Sequence, residues 1–340
     1  MAKTKQKSGG GFGLGGEAEL LDRIQRIAAS AKALRPQLRV GIGDDAAVLR
    51  PIAGSELVLT CDWFLEGVHF LLEKHPPDAV GWKCLARAVS DVAAMGGVPR
   101  YFLLSIALPL RQTRDWLTPF LGGLRRASKK LGCALIGGDT TRSHKILICI
   151  TVAGEVRTAR AILRSGARPG DVLFVSGRLG EAELGLSAIR RAKHPLSNSP
   201  PFLRKHLYPE PRLTLGRWLA ENHLPSAMMD LSDGLSTDLP RLCAASGVGA
   251  RIESPKLPVV KVPRTTRHRS RSPQDLALHG GDDYELLFAV PPQKQQRVPQ
   301  SYEGVPITCI GQLTAQRKIL LVDESGRSQP LSNRGWDPFR

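Results

Sequence analysis

Residues 41–48 read Gly41-Ile42-Gly43-Asp44-Asp45-Ala46-Ala47-Val48. Two acids occupy a small, glycine-flanked connector between Leu38/Val40 and Val48/Leu49, both of which are strand material. Glycine permits φ > 0 and lets a ligand approach the backbone closely. Neighbouring residues of an extended segment point to opposite faces, so Asp44 and Asp45 do not share one role. By itself the stretch is ordinary turn chemistry. It gains meaning because the same grammar, an apolar run, small residues and then an aspartate, returns along the chain. It returns at Thr60-Cys61-Asp62, Ser90-Asp91, Gly137-Gly138-Asp139, Asp230-Leu231-Ser232-Asp233-Gly234 and Gly280-Gly281-Asp282-Asp283.

Several of these stations follow directly on apolar, strand-like runs, whose loops can gather at one end of a sheet. Carboxylates that converge in this way repel by roughly 4 kcal/mol for each pair 4 Å apart at an effective dielectric of 20. They then call for cations, and oxygen-only donors on small loops suit Mg²⁺ or Ca²⁺ rather than zinc. The bland reading of any single station is a loop-capping aspartate; the set together favours a metal-dependent acidic centre. Ser90-Asp91 is the ambiguous member. It sits inside a helical pattern, where periodicity alone does not tell a solvated face from one aimed at a site.

Outward from these stations, apolar periodicity predicts a helix over Leu20–Ala31 and a buried strand Glu56–Cys61 that ends at Asp62. A strong helix starts at Pro76-Pro77-Asp78 and stops at Gly96-Gly97. A strand Tyr101–Leu108, a helix Arg114–Leu131, a strand Cys133–Ile136 closed by Gly137-Gly138-Asp139 and a strand Ile146–Ala153 follow. After a polar, basic passage come a strand Val172–Val175, a helix from Glu181, a proline-rich connector over 195–211 and a helix Arg212–Glu221. The Met229–Leu235 segment leads into another helix. The remaining strands fall near Ala250, at Tyr284–Val290, Ile307–Ile310 and Ile319–Val322, with 254–275 read as a long surface loop. Alternation of helix and strand in both halves gives an α/β fold of two domains. We divide the chain into a basic, glycine-rich flexible tail (1–15), an N-terminal α/β domain (16–157) and a C-terminal α/β domain (158–340).

The chain has 340 residues, 42% hydrophobic and 23% charged, as expected of a globular protein with a sizeable core. No apolar run reaches the ~18 residues of a membrane span, and no apolar stretch follows Lys3, Lys5 and Lys7 to make a secretory signal. The six cysteines form no CxxC pair and read as reduced core thiols. These features predict a cytoplasmic protein. The net charge of +17 favours polyanionic partners. Its basic runs, Lys3–Lys7, Arg125–Lys130 and Arg264–Arg271, read as solvated faces. They hold almost no aromatics, which counts against a nucleic-acid-binding protein, the alternative from a different class. There is no P-loop and no protein-kinase motif set. A basic protein with a Mg²⁺-requiring acidic centre points to a polyphosphate substrate.

The ordered set GIGDDAAV, CDWFLEGVHF, AVSDVAAMGG, LIGGDTT, RSGARPGD, MDLSDGL, GGDDYELLF and the closing Gly335-Trp336-Asp337-Pro338-Phe339 resembles the thiamine-monophosphate kinase family. That family lies within the aminoimidazole-ribonucleotide synthetase and selenophosphate synthetase superfamily. The resemblance implies the two-domain fold of that superfamily, pairing of N-terminal domains in a homodimer, and ATP-dependent phosphorylation of thiamine monophosphate to thiamine diphosphate. It places several Mg²⁺ ions on Asp45, Asp62, Asp91, Asp139, Asp230 and Asp233, with Thr60 and Cys61 beside them. It implies ATP contacts at Gly138, Arg164 and Ser232, and substrate contacts at His69, Asp282 and Trp336. Transfer would rest on Asp62, Asp91, Asp139 and Arg164, by direct in-line attack with no general base and no phosphoenzyme. Two positions depart from the family pattern: Cys61 stands where threonine is usual, and Asp282 where glutamate is. A sister activity of the same superfamily is the nearer alternative. The selenophosphate branch would want a cysteine in the N-terminal glycine-rich stretch, and the hydrogenase-maturation branch a C-terminal one; this sequence has neither.

Overall fold

The computed structural model describes residues 23–26, 37–42, 46–192, 200–263 and 271–339. The expectations for the tail and for Asp45 lie outside the described residues. Of the helix expected over Leu20–Ala31, residues 23–26 are described and are helical.

The N-terminal half opens with a short antiparallel pair, β1 (Leu38–Val40) and β2 (Val48–Leu49). Its main sheet holds β3 (Ser55–Leu65), β4 (Val98–Leu108), β5 (Ala134–Arg142) and β6 (Leu147–Arg157) in the order β3-β6-β4-β5. Only β4 and β5 run parallel. Two helices, α1 (Pro77–Ala94) and α2 (Leu117–Leu131), cover one face through a core that includes Val80, Leu85, Val89, Phe120, Leu124, Ile148 and Ile150. The helices approach to backbone contact: a Cβ at Gly123 would lie 1.9 Å from the Asp78 carbonyl oxygen, and one at Gly81 2.0 Å from that of Phe120. On the opposite face, Leu57, Leu59, Trp63 and Leu103 are 57, 68, 55 and 38% exposed.

The C-terminal half is a mixed sheet of β7 (Val172–Ser176), β8 (Ala227–Leu231), β9 (Gly249–Glu253), β10 (Glu285–Val290), β11 (Ser301–Tyr302), β12 (Val305–Thr314), β13 (Ile319–Val322) and β14 (Ser328–Pro330). The order is β14-β13-β9-β12-β7-β10-β8, with β11 paired to β12. Strand alternation divides the core in two. Leu173, Val175, Met229 and Leu287 face one layer with α6 (Leu235–Ser246). Val172, Phe174, Met228 and Phe288 face the other with α5 (Leu213–Glu221). Helices α3 (Glu181–Arg191), α4 (Pro201–Leu207) and α7 (Pro273–His279) complete this half.

Four expectations are corrected. Strand β3 does not stop at Asp62 but continues to Leu65, and β5 runs through Asp139 to Arg142. Apolar composition ends early in both, yet the backbone ladder goes on: all eleven residues of β3 pair with β6. The acid stations are therefore not all loops. The proline-rich connector contains α4, started by Pro200-Pro201, and the span 254–275 contains a 3₁₀ turn at Ser254–Lys256 and the start of α7.

Candidate active site

Helix α1 runs along the seam between the halves, and the site is built on it. In β3, Val58, Thr60, Asp62 and Phe64 face the helices, while Leu57, Leu59, Cys61 and Trp63 face the other way. Thr60 and Asp62 thereby meet α1. Thr60 Oγ1 donates to Asp91 Oδ2 at 2.5 Å, and Arg87 Nε lies 3.4 Å from Asp62 Oδ2. One residue before Asp91, the buried Ser90 hydroxyl donates to Asp230 Oδ2 at 2.7 Å. Asp230 stands at the end of β8, so this bond crosses from one domain to the other. Ser90-Asp91 does not lie on a solvated face of the helix: it points at Thr60 and at Asp230 of the other half.

Electrostatics bind Asp62, Asp91 and Asp230 into one group. Burial raises the Asp91 carboxyl above its ordinary value and Asp62 adds to the rise, against the Thr60 hydrogen bond and the positive charges of Arg164 and Arg87. Burial likewise raises Asp230, and Asp91 raises it further. The carboxylates raise one another despite the neighbouring arginines. No three His, Cys, Asp or Glu side chains among the described residues close into a single cage. A set of oxygen donors spread as pairs fits Mg²⁺, which keeps several waters and takes only one or two carboxylates plus substrate phosphates.

A cleft adjoins this acidic group and holds His69, Ser232, Asp233, Asp282 and Trp336, with Arg87 lining it as well. All three residues implied for substrate contact thus share one cavity. His69 accepts the Leu65 N–H on Nδ1 at 3.0 Å, and burial, then Arg87, lowers its pKa to about 4. The ring is neutral, and its proton sits on Nε2. One ring nitrogen thus anchors His69 to the backbone, and Nε2 is its donor edge. Asp233 is clamped by Arg241 at 2.6 Å, and its backbone carbonyl accepts the Trp336 N–H at 2.9 Å, which seats the 41% exposed indole at the cleft rim. Beneath the loop, Asp238 accepts the amides of Ser232 and Asp233 at 3.1 and 3.0 Å.

Some expected members stand apart. The row Asp62–Ile150–Leu104–Gly138 crosses the sheet, so Gly138 shares the face of Asp62 at the far edge. Asp139 lies in the next row with Trp63, Cys149 and Ser105, on the other face. Three strand spacings, roughly 14 Å, separate β5 from β3. Cys61 also faces away from Asp62; its sulfur lies 3.2 Å from that of Cys149, and it is exposed rather than a core thiol. Lys83, Arg87, His206 and Tyr284 stand at the candidate site and were missed by sequence reasoning. The available signal was the polar spacing Lys83, Arg87, Ser90, Asp91 on an otherwise apolar helix.

The fold and site define a class. Family models described as AIR synthase related protein, N-terminal domain and C-terminal domain, match residues 43–156 and 168–323. The thiamine-monophosphate kinase of Bacillus subtilis (strain 168) is 34% identical over 311 residues, covering 88% of this chain and 94% of the relative. The crystal structure of thiamine-monophosphate kinase from Stenotrophomonas maltophilia K279a superposes with a TM-score of 0.79 at 34% identity, covering 92% of this chain and 98% of that one. A structure of AaThiL complexed with AMPPCP and TMP superposes with a TM-score of 0.73 at 32% identity, covering 95% and 97%. The chain belongs to the thiamine-monophosphate kinase family.

Proposed function

We propose that this protein transfers the γ-phosphoryl group of ATP to thiamine monophosphate, forming thiamine diphosphate. One observation carries the reading: the Asp62–Asp91–Asp230 group and the His69–Asp282–Trp336 cleft are contiguous, joined by Arg87 and by the 230–233 segment. Asp62, Asp91 and Asp230 would hold Mg²⁺, which when bound neutralises phosphate charge. Asp45 and Asp233 are further ligands that the resemblance supplies; Asp139, which it also supplies, lies on the other face of the sheet and would serve a separate ion. Ser232, Gly138 and Arg164 take the nucleotide phosphates. Trp336 and Asp282 suit the cationic thiazolium ring, since an aromatic face and a carboxylate both attract a cation. His69 offers Nε2–H to an acceptor on the substrate. The attacking phosphate oxygen is already ionised at neutral pH, so no residue need act as general base; the protein's work is positioning and charge balance.

The exposed Leu57, Leu59, Trp63 and Leu103 support a homodimer formed through the N-terminal sheets. No described helix is long and apolar enough to cross a membrane. We assign the protein to the cytoplasm and place the domain boundary near residue 158. The test is turnover of thiamine monophosphate with chirally labelled ATP and Mg²⁺. Thiamine diphosphate should form with inversion at phosphorus. No product refutes the activity; retention, or a trapped phosphoenzyme, refutes direct transfer.

A further inference from the structure

The cleft wall supplied by the N-terminal half contains a buried cation whose partner belongs to the other half. Lys83, on the first half of α1, is 2% exposed, and its Nζ donates to Asp282 Oδ2 at 2.7 Å. The Tyr284 hydroxyl donates to the other carboxylate oxygen, Oδ1, also at 2.7 Å. Asp282 and Tyr284 both have left-handed backbones, with φ of 67° and 50°, a conformation that costs a non-glycine residue on the order of 1 kcal/mol or more. Hydrogen bonds from Asp282 N to Ser232 O (2.7 Å) and from Tyr284 N to Leu231 O (2.8 Å) hold them there. A strained backbone presents the carboxylate, and two side chains clamp it.

Behind Lys83 lie two buried histidines. His75 Nδ1 accepts the Leu71 N–H at 3.1 Å, and burial, then Lys83, lowers its pKa to about 4. Its Nε2 lies 3.1 Å from His206 Nε2. His206 Nδ1 lies 3.2 Å from Lys83 Nζ, from which it accepts, and 3.8 Å from Asp282 Oδ2. Lys83 and Tyr284 are the two donors to the carboxylate, and the imidazole of His206 backs the ammonium. Burial works against the Asp282 anion, but Lys83, His206 and Arg87 outweigh it and hold the group well below the usual carboxylate range. Burial also pulls the Lys83 ammonium down while Asp282 opposes that, and at 2.7 Å the two form a charge-assisted pair. Glu183 faces the same cleft from α3 and is raised by burial, so Asp282 is the firmly charged acid of this wall.

We infer that Lys83 is a positioning residue for the acceptor: reaching across the domain seam, it fixes Asp282 as the anion that meets the cationic ring in the cleft beneath Trp336. The inference rests on the function proposed above. Lys83 acts through Asp282 and lies eight residues before Asp91, roughly 12 Å along the helix, so its effect separates from nucleotide binding.

The test uses the full-length protein and Lys83→Met, with KM for each substrate, kcat and thermal melting. The KM for thiamine monophosphate should rise tenfold or more, that for ATP should change less than twofold, and kcat at saturation should persist. Wild type should prefer thiamine monophosphate over a phosphorylated analogue whose ring is uncharged, and Lys83→Met should lose that preference, which a merely structural lysine would not alter. Should Lys83→Met melt below the assay temperature, Tyr284→Phe frees the other carboxylate oxygen and should raise the same KM at least threefold, and that one alone. An unchanged thiamine-monophosphate KM, equal rises in both KM values, or an unaltered ring preference overturns the inference. Absence of turnover by wild type instead counts against the proposed function.

Discussion

Asp62 and Arg87 show how one residue pair ties the two halves of the chemistry together. The arginine lies 3.4 Å from Asp62 and stacks its guanidinium 5.4 Å from the Phe64 ring centroid while lining the cleft of His69 and Trp336. Asp62→Asn keeps the shape and removes one negative charge. We expect kcat to fall about 10²-fold or more, the scale for losing one preorganised electrostatic contact, with a melting temperature close to wild type. Steady-state kinetics beside a thermal melt check this; a kcat within fivefold of wild type would remove Asp62 from the metal set. Such acids were legible in the sequence because a carboxylate after an apolar run and small residues is conspicuous. Lys83 and Arg87 were not, because a cation on a helix reads as solvated until its partner is known. Asp282 is 199 residues away from Lys83, and no local pattern carries that distance.

Among the elements, α1 was readable almost to the residue, since Pro76-Pro77-Asp78 and Gly96-Gly97 punctuate it at both ends. Strands β3 and β5 were read too short for the opposite reason. Thr60, Asp62, Thr140 and Thr141 break the apolar run, while ladder pairing, which depends on the partner strand, continues through them. The contact of α1 with α2 also rests on partners remote in sequence. Gly123→Ala would drive a Cβ against the Asp78 carbonyl, 1.9 Å away, and force the helices apart. Overpacking of this kind costs roughly 1–3 kcal/mol. A calorimetric melt should drop by about 2–10 °C on the usual scaling for a domain of this size, and an unchanged melt would contradict the packing described.

At the scale of the whole molecule, two properties follow from charge and surface. Buried acids whose pKa is raised, Asp230 to about 8 and Asp238 and Asp283 to about 7, bind protons better folded than unfolded. Their contribution is present at low pH and is lost as pH rises from about 4 towards 8. Neutral His69 and His75, with pKa values near 4, have the opposite sign but act only below about 6.5. Between pH 6.5 and 8 the acids act alone, so the metal-free protein should lose stability, and Mg²⁺ should restore it at pH 8. Chemical denaturation in EDTA and in Mg²⁺ tests this; a flat profile in EDTA would argue against it. The second is the proposed pairing of N-terminal sheets in a homodimer. Leu59→Lys or Trp63→Glu on the outer sheet face should shift sedimentation to the monomer, whereas an unaltered dimer would place the interface elsewhere. A further consequence belongs to α1, which mounts Lys83, Arg87, Ser90 and Asp91 in fixed phase on a single rigid rod. Inserting one residue would rotate everything beyond it by about 100°, swinging the later side chains off their partners in the other domain. Between residues 83 and 91 the gene should therefore accept many substitutions but no change of length, a reading-frame rule written in degrees rather than in codons.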